Sequence, residues 1–295
     1  MNELAQDATW DTLIDAESLH RALGRSELRL LDCRYDLARI DAGVEQYAQG
    51  HIPGAVYADL GRDLSGPKTP GSGRHPLPHP DDVAAKFRAW GIGPSTQVVV
   101  YDASQGSFAA RAWWLLRWVG HRQAALLDGG WQAWTAAGFP VTAEEYRPAP
   151  GGLRVGTSLQ AVTQIEEVEE ISQRRDTEFA RVIVDARASD RYEGRNETVD
   201  PVAGHIPGAL NRCWKENLNP DGSFKSPVQL RKEYEALLGG RSPEQVTMQC
   251  GSGVTACHNL VAMERAGLSG AALFPGSWSQ WIADPRRPVA TGPKR

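Results

Sequence analysis

Short apolar runs alternate along this chain with longer stretches in which apolar residues have a helical spacing. The runs LLDCR, QVVVY, VIVDAR and QVTM each join a few consecutive apolar residues to a polar turn. Continuous runs of this length are typical of strands buried on both faces of a parallel sheet. In each half of the chain we therefore predict helix, strand, turn, helix, strand, loop, helix and strand, followed by a tryptophan-rich turn. This order indicates a doubly wound α/β fold.

The first half of the chain resembles the second half, segment by segment and in the same order. Three matched pairs are GHIPGAVY (50–57) with GHIPGALN (204–211), QVVVYDASQGS (97–107) with QVTMQCGSGVT (245–255), and DGGWQAW (128–134) with FPGSWSQW (274–281). Such a repeat indicates a duplicated domain. We predict tandem domains at residues 1–142 and 155–295, joined by a linker at 143–154 that is rich in proline, glycine and charge.

The composition of the chain is typical of a globular protein and argues against membrane and nucleic-acid partners. The chain has 295 residues, of which 41% are hydrophobic, and a formal net charge of -4, which is ordinary for a globular protein of about two domains. Its N-terminus is acidic and amphipathic and has no apolar core typical of a secretory signal. No apolar run is long enough for a membrane span, and no basic stripe indicates nucleic acid. We expect neither a membrane nor a nucleic-acid partner.

The cysteines and histidines do not form a metal-binding or disulfide pattern. The four cysteines are widely spread, with no C-x-x-C spacing: Cys33, Cys213, Cys250 and Cys257. His75 and His79 lie in RHPLPHP, where prolines exclude the helix that an i, i+4 metal site needs. We therefore predict free thiols, no metal and a reducing cytoplasmic location.

Residues that both halves share are expected to serve the fold, whereas residues that differ are candidates for function. The shared set includes the arginine of each Asp-x-Arg motif, Arg34 and Arg187, and the histidine of each GHIPGA turn, His51 and His205. An imidazole beside a tight turn more often binds backbone groups than performs catalysis. We therefore interpret both histidines as structural.

The largest difference between the halves lies in a glycine-rich loop, where Asp102 of the first half aligns with Cys250 of the second. Cys250 follows a predicted strand and precedes a predicted helix that Thr255 is suited to begin. Unpaired backbone N–H groups and the positive end of the helix dipole stabilise an anion at such a position. Gly251 and Gly253 allow the backbone to curl so that these donors converge. We therefore predict a reactive thiolate at Cys250 rather than a core cysteine.

Three kinds of reaction use such a thiolate: phosphatase, disulfide oxidoreductase and sulfur-transfer chemistry. A cysteine phosphatase places an arginine at the far end of its loop, where this chain has Ala256. A disulfide oxidoreductase needs a resolving cysteine, and Cys257 lies about two helical turns along the chain. Sulfur transfer needs neither group and is the reaction that the loop favours.

The duplicated halves and the motifs Asp-x-Arg, GHIPGA, CGSGVT and Gly-Ser-Trp resemble the tandem-domain rhodanese family over nearly the whole chain. The resemblance implies two rhodanese-like domains, each with a mostly parallel central sheet flanked by helices, of which the N-terminal one is non-catalytic and the C-terminal one catalytic. It also implies a persulfide on Cys250 that passes to a thiol or to cyanide without a cofactor. The loop resembles that of the 3-mercaptopyruvate sulfurtransferase branch, whereas CRKGVT is typical of thiosulfate sulfurtransferases.

The uncharged loop fits the leaving group of the first of these branches. Thiosulfate leaves sulfite, a dianion that cationic loop residues would stabilise, but Gly251 and Ser252 are neutral. 3-Mercaptopyruvate leaves a pyruvate enolate, which needs a proton, and Ser252 is suited to relay one. We predict that the rest of the donor-binding loop comprises Gly253, Val254 and Thr255.

A donor that carries a carboxylate also needs cationic hydrogen-bond donors. RYEGR supplies Arg191 and Arg195, and one helical turn would present both on one side. The alternative is a solvated charged face shared with Asp190 and Glu193. By resemblance, Arg191 occupies the position of the family's substrate-binding arginine. The resemblance implies a second arginine where this chain has Asp200, and we expect Arg195 to replace it.

The resemblance further implies a relay of serine, histidine and aspartate that supports the loop. His75, before Pro-Leu-Pro, matches the histidine motif, and Ser252 supplies the serine. The aspartate position holds Gly61, with Asp59 and Asp63 on either side. We predict that Asp63 completes the relay.

These observations predict a two-step sulfurtransferase. The Cys250 thiolate takes sulfur from 3-mercaptopyruvate, pyruvate leaves, and an acceptor thiol such as thioredoxin removes the sulfur. Two alternatives stay open: thiosulfate as the main donor, and a non-enzymatic carrier that holds a persulfide for a docked protein. We expect a monomer without a cofactor, whose partners are a small-molecule sulfur donor and a thiol acceptor.

Overall fold

The computed structural model describes residues 9–174 and 181–293, and the chain divides into two compact units. The first unit comprises the described residues up to Leu64 together with Pro78–Leu159 and Asp221–Ser223. The second unit comprises Ser65–Leu77, Gln160–Pro220 and the described residues from Phe224 onwards. The segment Ser65–Leu77, although it comes from the first half of the sequence, therefore belongs to the second unit.

Strands and helices alternate in the described part of the first unit. The strands are β1 (Leu13–Ile14), β2 (Leu28–Asp32), β3 (Ala55–Tyr57), β4 (Gln97–Tyr101) and β5 (Ala124–Leu127). The helices are α1 (Ala16–Ala22), α2 (Ala42–Gln49), α3 (Pro80–Ala89), α4 (Ala109–Trp118) and α5 (Gly130–Ala136). All strand pairs are parallel, and the order across the sheet is β1-β5-β4-β2-β3.

The described part of the second unit has the same plan. Its strands are β6 (Ala161–Val162), β7 (Val182–Asp185), β8 (Leu210–Asn211), β9 (Val246–Gln249) and β10 (Ala272–Leu273). Its α-helices are α6 (Ile165–Gln173), α7 (Ser189–Tyr192), α8 (Pro227–Leu238), α9 (Ala256–Arg265) and α10 (Ser277–Trp281), with 3₁₀ turns at Trp214–Asn217 and Pro243–Gln245. The strands are again parallel, in the equivalent order β6-β10-β9-β7-β8.

The predicted doubly wound α/β fold is confirmed, but the number of strands is not. In the described residues each sheet has five strands, where the hydrophobic pattern predicts three. The additional strands β1, β3, β6 and β8 lie at the sheet edges and are two or three residues long. Strands this short show no measurable periodicity. The predicted tryptophan-rich turns are the short helices α5 and α10.

The central strands β4 and β9 are buried at every position, as their continuous apolar sequences predict. Each lies between two parallel neighbours. In open parallel sheets, ligands bind at the carboxyl ends of the strands, near the point where the strand order reverses. In the second sheet that point lies between β7 and β9, and Cys250 is the first residue after β9.

The shared Asp-x-Arg motifs form equivalent buried ion pairs. Nη2 of Arg34 lies 2.6 Å from Oδ2 of Asp32 and donates to the carbonyl of the glycine that opens the GHIPGA turn, at 2.7 Å. Arg187 repeats both contacts, with Asp185 at 2.7 Å and with the equivalent glycine carbonyl at 2.7 Å. Each arginine thus ties the end of a strand to the next turn, which confirms its role in the fold.

The histidines of the two GHIPGA turns are also structural. Nδ1 of His51 lies 2.8 Å from the carbonyl oxygen of Tyr47, and the two rings stack with centroids 3.8 Å apart. Nδ1 of His205 makes the same contact with Tyr192 at 2.8 Å, with ring centroids 3.7 Å apart. Burial lowers the pKa of His205, so its ring stays neutral near pH 7. The structural interpretation of both histidines is confirmed.

Residues 9–174 and 181–293 contain neither a membrane-spanning helix nor a metal-binding cluster. Within these ranges no helix combines the length and the apolar character that a bilayer span requires. The same residues hold no cluster of three or more histidine, cysteine, aspartate or glutamate side chains that could bind a metal ion.

Candidate active site

Cys250 lies directly after β9, at the carboxyl end of the central strand of the second sheet. It is buried, with 2% of its surface exposed. The loop that follows leads into α9, which begins at Ala256. Thr255 occupies the N-cap position, but its side chain makes no capping hydrogen bond, and the N–H groups of Cys257 and His258 donate to the carbonyls of Val254 and Thr255. The predicted strand, loop and helix around Cys250 are confirmed.

Backbone hydrogen bonds fix the position of Cys250 itself. Its N–H donates to Oγ of Ser277 at 3.0 Å, and this hydroxyl donates to the carbonyl of Phe274 at 2.9 Å. The N–H of Trp278 donates to the carbonyl of Cys250 at 3.0 Å. Ser277 has a φ of 51°, a left-handed conformation that few residues other than glycine adopt. The equivalent residue of the first unit is Gly130, with a φ of 56°.

The two loop glycines have different roles. Gly253 has a φ of +75°, and a Cβ atom there would lie 2.3 Å from a backbone oxygen near the end of β10, so only glycine fits. Gly251 is not in the left-handed region. A Cβ atom at Gly251 would lie 3.1 Å from Nη2 of Arg74, 3.6 Å from Oδ2 of Asp200 and 3.8 Å from Nη2 of Arg191. Gly251 therefore leaves space beside three charged side chains.

The equivalent loop of the first unit shows what this backbone conformation can bind. Asp102 occupies the position of Cys250 and is completely buried. Its carboxylate accepts hydrogen bonds of 2.7–2.8 Å from four backbone N–H groups, those of Ser104, Gly106, Phe108 and Ala109. Converging N–H groups of this kind form an anion-binding nest. Burial raises the pKa of Asp102 and the four N–H hydrogen bonds oppose that rise, so the loop of this repeat offers converging backbone donors to an acidic group.

The structure brings His75 next to Ser252. Nδ1 of His75 lies 2.8 Å from Oγ of Ser252, and the residues are 4% and 6% exposed. The segment Ser65–Leu77, which carries His75, is tied to the rest of the second unit by the N–H of Arg74, which donates to Oγ of Ser279 at 2.9 Å. A hydroxyl at hydrogen-bond distance from a buried imidazole can pass a proton.

Two buried carboxylates hold the guanidinium group of Arg191. Its Nε and Nη2 atoms bind Glu197 at 3.1 and 2.8 Å, and Nη2 also donates to Oδ2 of Asp200 at 3.1 Å. The carboxylate side chains are 2% and 1% exposed. Burial alone would raise the pKa of Glu197, but the hydrogen bonds from Arg191 hold it below its ordinary value. The alternative interpretation of Arg191 as part of a solvated face is wrong.

Asp200 also pairs with an arginine that the sequence did not indicate. Oδ1 of Asp200 accepts a hydrogen bond from Nη1 of Arg74, while Oδ2 accepts from Arg191. The side chain of Arg74 is 26% exposed. Two guanidinium groups thus converge on one carboxylate beside the loop of Cys250.

The prediction that one helical turn aligns Arg195 with Arg191 is wrong. Helix α7 ends at Tyr192, and Gly194 has a φ of 79°, so Arg195 lies beyond the helix. Its side chain is 65% exposed, and its Nε atom lies 2.6 Å from a carboxylate oxygen of Glu193. The role of Arg195 in donor binding stays a prediction.

Asp63 lies in the first unit and is held by two cations. Its carboxylate oxygens lie 3.1 Å from Nη2 of Arg62 and 2.9 Å from Nζ of Lys86, and one of them accepts the N–H of Asp59 at 3.0 Å. Burial alone would raise the pKa of Asp63, but the hydrogen bonds from Arg62 and Lys86 hold it below its ordinary value. Its place in a proton relay stays a prediction.

The other cysteines differ chemically from a reactive thiolate. All four cysteines are free. Burial raises the pKa of the Cys33 thiol and of the Cys213 thiol, which keeps both protonated at neutral pH. Cys257 lies inside α9, and its Sγ atom donates to the carbonyl of Gly253 at 3.4 Å.

Three residues at this site escaped the sequence analysis: Ser277, Arg74 and Asp200 in its bridging role. Ser277 differs from Gly130 between the two halves, so the comparison that singled out Cys250 could have found it. Arg74 directly precedes His75, which was the only sequence signal for it. The contacts of Asp200 with two arginines depend on the fold and have no sequence signal.

Comparison with protein families matches residues 15–137 and 166–284 to the rhodanese-like domain. The chain is 46% identical over 282 residues to a Pseudomonas aeruginosa protein described as a probable 3-mercaptopyruvate sulfurtransferase, covering 95% of this chain and 98% of that protein. It is 32% identical to the 3-mercaptopyruvate sulfurtransferase of Homo sapiens, covering 90% and 89% of the two chains. It is 34% identical to the thiosulfate sulfurtransferase of Mus musculus, covering 94% and 93%.

Solved structures show the same similarity. SseA from Escherichia coli, a 3-mercaptopyruvate sulfotransferase, superposes with a TM-score of 0.77 at 30% identity, covering 92% of this chain and all of that one. The 3-mercaptopyruvate sulfurtransferase from Leishmania major gives a TM-score of 0.77 at 30% identity, covering 91% of this chain and 73% of that one. In both cases the similarity extends over both units.

Proposed function

Since the chain belongs to the rhodanese family and is a sulfurtransferase with two rhodanese-like domains, we propose that it moves sulfur from 3-mercaptopyruvate to a thiol through a persulfide on Cys250. One observation carries this choice of donor. The neutral loop after Cys250 places Ser252 2.8 Å from a buried imidazole, that of His75, and thus supplies a proton rather than a cation to the leaving group.

In the first half-reaction, the Cys250 thiolate attacks the sulfur atom of 3-mercaptopyruvate. An S–S bond forms as the bond between that sulfur and the donor carbon breaks, and its electron pair leaves with the carbon as the enolate of pyruvate. The enolate takes a proton from the hydroxyl of Ser252, and His75 returns one to that hydroxyl. The products are pyruvate and a Cys250 persulfide.

The loop that carries Cys250 is suited to hold the persulfide anion. In the first unit the equivalent loop binds the carboxylate of Asp102 with four backbone N–H groups. We propose that the N–H groups of the Cys250 loop bind the negatively charged sulfur in the same way. The backbone contacts of Cys250 with Ser277 and Trp278 hold the start of this loop in place.

In the second half-reaction, an acceptor thiolate attacks the outer sulfur of the persulfide, and Cys250 leaves as a thiolate. A protein thiol of the thioredoxin type is the proposed physiological acceptor, and cyanide replaces it in an assay. A reducing cytoplasm, which keeps such thiols available, is the proposed location. We also expect a monomer, which sedimentation velocity measures directly.

Pyruvate release with each donor tests the proposed function. Purified protein should release pyruvate from 3-mercaptopyruvate with ping-pong kinetics and a higher kcat/KM than it shows for thiosulfate. A higher kcat/KM for thiosulfate would favour the thiosulfate alternative. Transfer of sulfur from a protein donor without pyruvate release from 3-mercaptopyruvate would favour the carrier alternative.

Ser252→Ala should impair the two donors unequally. Loss of the hydroxyl removes the proposed proton source for the enolate, so kcat/KM for 3-mercaptopyruvate should fall by about tenfold or more. Sulfite needs no such proton, and kcat/KM for thiosulfate should change less. Steady-state assays with both donors and cyanide measure the ratio. Equal losses for both donors would mean that Ser252 only shapes the loop.

A further inference from the structure

Two arginines and one aspartate of the second unit form a continuous hydrogen-bonded group, the Arg74–Asp200–Arg191 bridge. Oδ1 of Asp200 accepts from Nη1 of Arg74, and Oδ2 accepts from Nη2 of Arg191 at 3.1 Å. The aspartate side chain is 1% exposed, and the arginine side chains are 26% and 22% exposed. A buried carboxylate thus sets the spacing of two guanidinium groups that solvent can still reach.

Both guanidinium groups keep donors that the described residues leave unused. Each guanidinium has five N–H bonds. In Arg191, Nε and Nη2 are taken by Glu197 and Asp200, and Nη1 has no partner among residues 9–174 and 181–293. In Arg74 the bond to Asp200 uses Nη1, the Nε atom is buried without a partner, and Nη2 also has no partner in the same described ranges and is the donor that a ligand can reach. An anion can therefore bind both arginines without displacing Asp200.

Both guanidinium groups lie beside the loop of Cys250. Nη2 of Arg74, which has no partner in the described residues, is 3.1 Å from the point where a Cβ atom of Gly251 would be, and Nη2 of Arg191, which binds Glu197 and Asp200, is 3.8 Å from it. Gly251 directly follows Cys250. A small donor whose sulfur contacts Cys250 can therefore place its carboxylate against both guanidinium groups.

The resemblance implies an arginine at the position that Asp200 occupies, so this chain lacks one cation and carries an acid in its place. We propose that Arg74 replaces the missing cation and binds the donor carboxylate together with Arg191, while Asp200 is a positioning residue that holds both arginines. This proposal does not need Arg195, whose exposed side chain pairs with Glu193, and it is an alternative to the prediction that Arg195 replaces the missing cation. This inference rests on the proposed function, because it names the residues that recognise the donor.

The charges of the clamp predict how it selects its ligand. The two positive charges of Arg74 and Arg191 are balanced by the carboxylates of Asp200 and Glu197. A neutral cluster attracts anions weakly through its net charge and binds them through directed hydrogen bonds. The two oxygens of a planar carboxylate can accept hydrogen bonds from both guanidinium groups. The second negative charge of a dianion would add little to its affinity for this neutral cluster.

Donor binding can be measured without turnover in the Cys250→Ser background, which cannot accept sulfur. Calorimetric titration with 3-mercaptopyruvate should give a Kd about 10- to 100-fold weaker when Arg74→Ala is added, because one half of the clamp is lost. The Kd of the Arg74→Lys variant should lie between those of the parent and of Arg74→Ala, since lysine keeps the positive charge but lacks the planar guanidinium group. Thermal unfolding of each variant separates lost binding from lost structure.

Arg181→Ala is the matched control for Arg74→Ala. Arg181 is 35% exposed, pairs with Glu167 at 2.9 Å, and also has a buried Nε atom without a partner in the described residues. It immediately precedes β7 and therefore lies at the amino edge of the sheet, opposite the loop of Cys250. We expect its removal to leave the Kd for 3-mercaptopyruvate unchanged.

The Asp200→Asn variant tests whether Asp200 acts by positioning the two arginines or by its contribution to the net charge of the clamp. The change makes the clamp more positive, so a site that works by net charge would bind the donor more tightly. We expect binding about tenfold weaker, because the amide turns an N–H donor toward one guanidinium and breaks the bridge. The exchange of Arg74→Asp with Asp200→Arg rebuilds the pair with reversed partners and should restore affinity to within about tenfold of the parent.

Two results would overturn the inference. An unchanged Kd in a folded Arg74→Ala variant would remove Arg74 from the clamp, and tighter binding in Asp200→Asn would show that Asp200 does not position it. Failure of the proposed function gives a different result: the Cys250→Ser protein itself would bind no 3-mercaptopyruvate. Donor binding that is intact in this parent and insensitive to Arg74→Ala would refute the inference alone.

Discussion

Cys250→Ser should abolish sulfur transfer from every donor, with kcat/KM lowered by at least about 1,000-fold, as expected when a covalent nucleophile is removed. The serine hydroxyl is of similar size, so the loop and its contacts with Ser277 and Trp278 should persist. The loss would then be chemical, because no persulfide can form. Steady-state assays with 3-mercaptopyruvate and with thiosulfate measure it, and an unchanged unfolding temperature shows that the fold is intact.

The other cysteines provide the controls for Cys250→Ser. Single changes to serine at Cys33, Cys213 and Cys257 should keep most of the activity, apart from any loss of stability at the buried positions. Burial raises the pKa of Cys33 and of Cys213, so neither is a thiolate at neutral pH. A persulfide found mainly on one of these three cysteines after donor treatment would contradict the assignment.

Arg191→Ala should lower kcat/KM for 3-mercaptopyruvate by roughly 30- to 900-fold, which corresponds to about 2 to 4 kcal/mol of transition-state binding. Arg191 is fixed by two buried carboxylates, and its Nη1 atom has no partner in the described residues. Its removal takes away a preorganised donor and leaves Glu197 and Asp200 with fewer partners. Assays over a range of donor concentrations should show most of the effect in KM.

Arg195→Ala is the comparison for Arg191→Ala. Arg195 has a similar sequence position in RYEGR, but its side chain is 65% exposed and pairs with Glu193 at the surface, where such pairs contribute little. We expect a change in kcat/KM of less than about threefold. If a folded Arg191→Ala variant kept the parental kcat/KM, Arg191 would be a structural residue of the Glu197 pair and not a donor-binding residue.

The fold could be predicted from the sequence because its strongest signals are local. The buried strands β4 and β9 are continuous apolar runs, and the duplication supplied each prediction twice. The edge strands β6 and β8 have only two residues each and leave no periodic pattern, so they could not be predicted. The Asp-x-Arg pairs were correctly assigned to the fold because both halves contain them.

The site could be predicted where chemistry follows from the position of a residue in its own element. The surroundings of Cys250 could be predicted because a single strand, loop and helix determine them, whereas its reactivity stays a prediction. The prediction that Arg191 and Arg195 lie on one side of a helix is wrong because it assumed a full helical turn between them. Helix α7 ends at Tyr192, and Gly194 has a left-handed conformation that changes the direction of the chain. The contact of Arg74 with Asp200 joins residues that are far apart in sequence, and no local pattern reports such a contact.

The duplication places two different side chains at the same position of one loop. In the first unit the loop binds its own carboxylate, that of Asp102, with four backbone N–H groups. In the second unit the same position carries Cys250, and the thiolate and persulfide that we propose there are also anions. We therefore expect the loop of the second unit to bind this sulfur with the equivalent backbone N–H groups.

A single-turnover experiment tests most directly whether Cys250 carries sulfur from 3-mercaptopyruvate. Protein is mixed with a stoichiometric amount of donor and no acceptor, then quenched for pyruvate measurement and for mass analysis of the intact chain and its peptides. We expect one pyruvate released for each sulfur atom gained, with that sulfur on the peptide that contains Cys250, and neither product in Cys250→Ser. Sulfur gained without pyruvate, or pyruvate released by the Cys250→Ser protein, would contradict a Cys250 persulfide formed from 3-mercaptopyruvate.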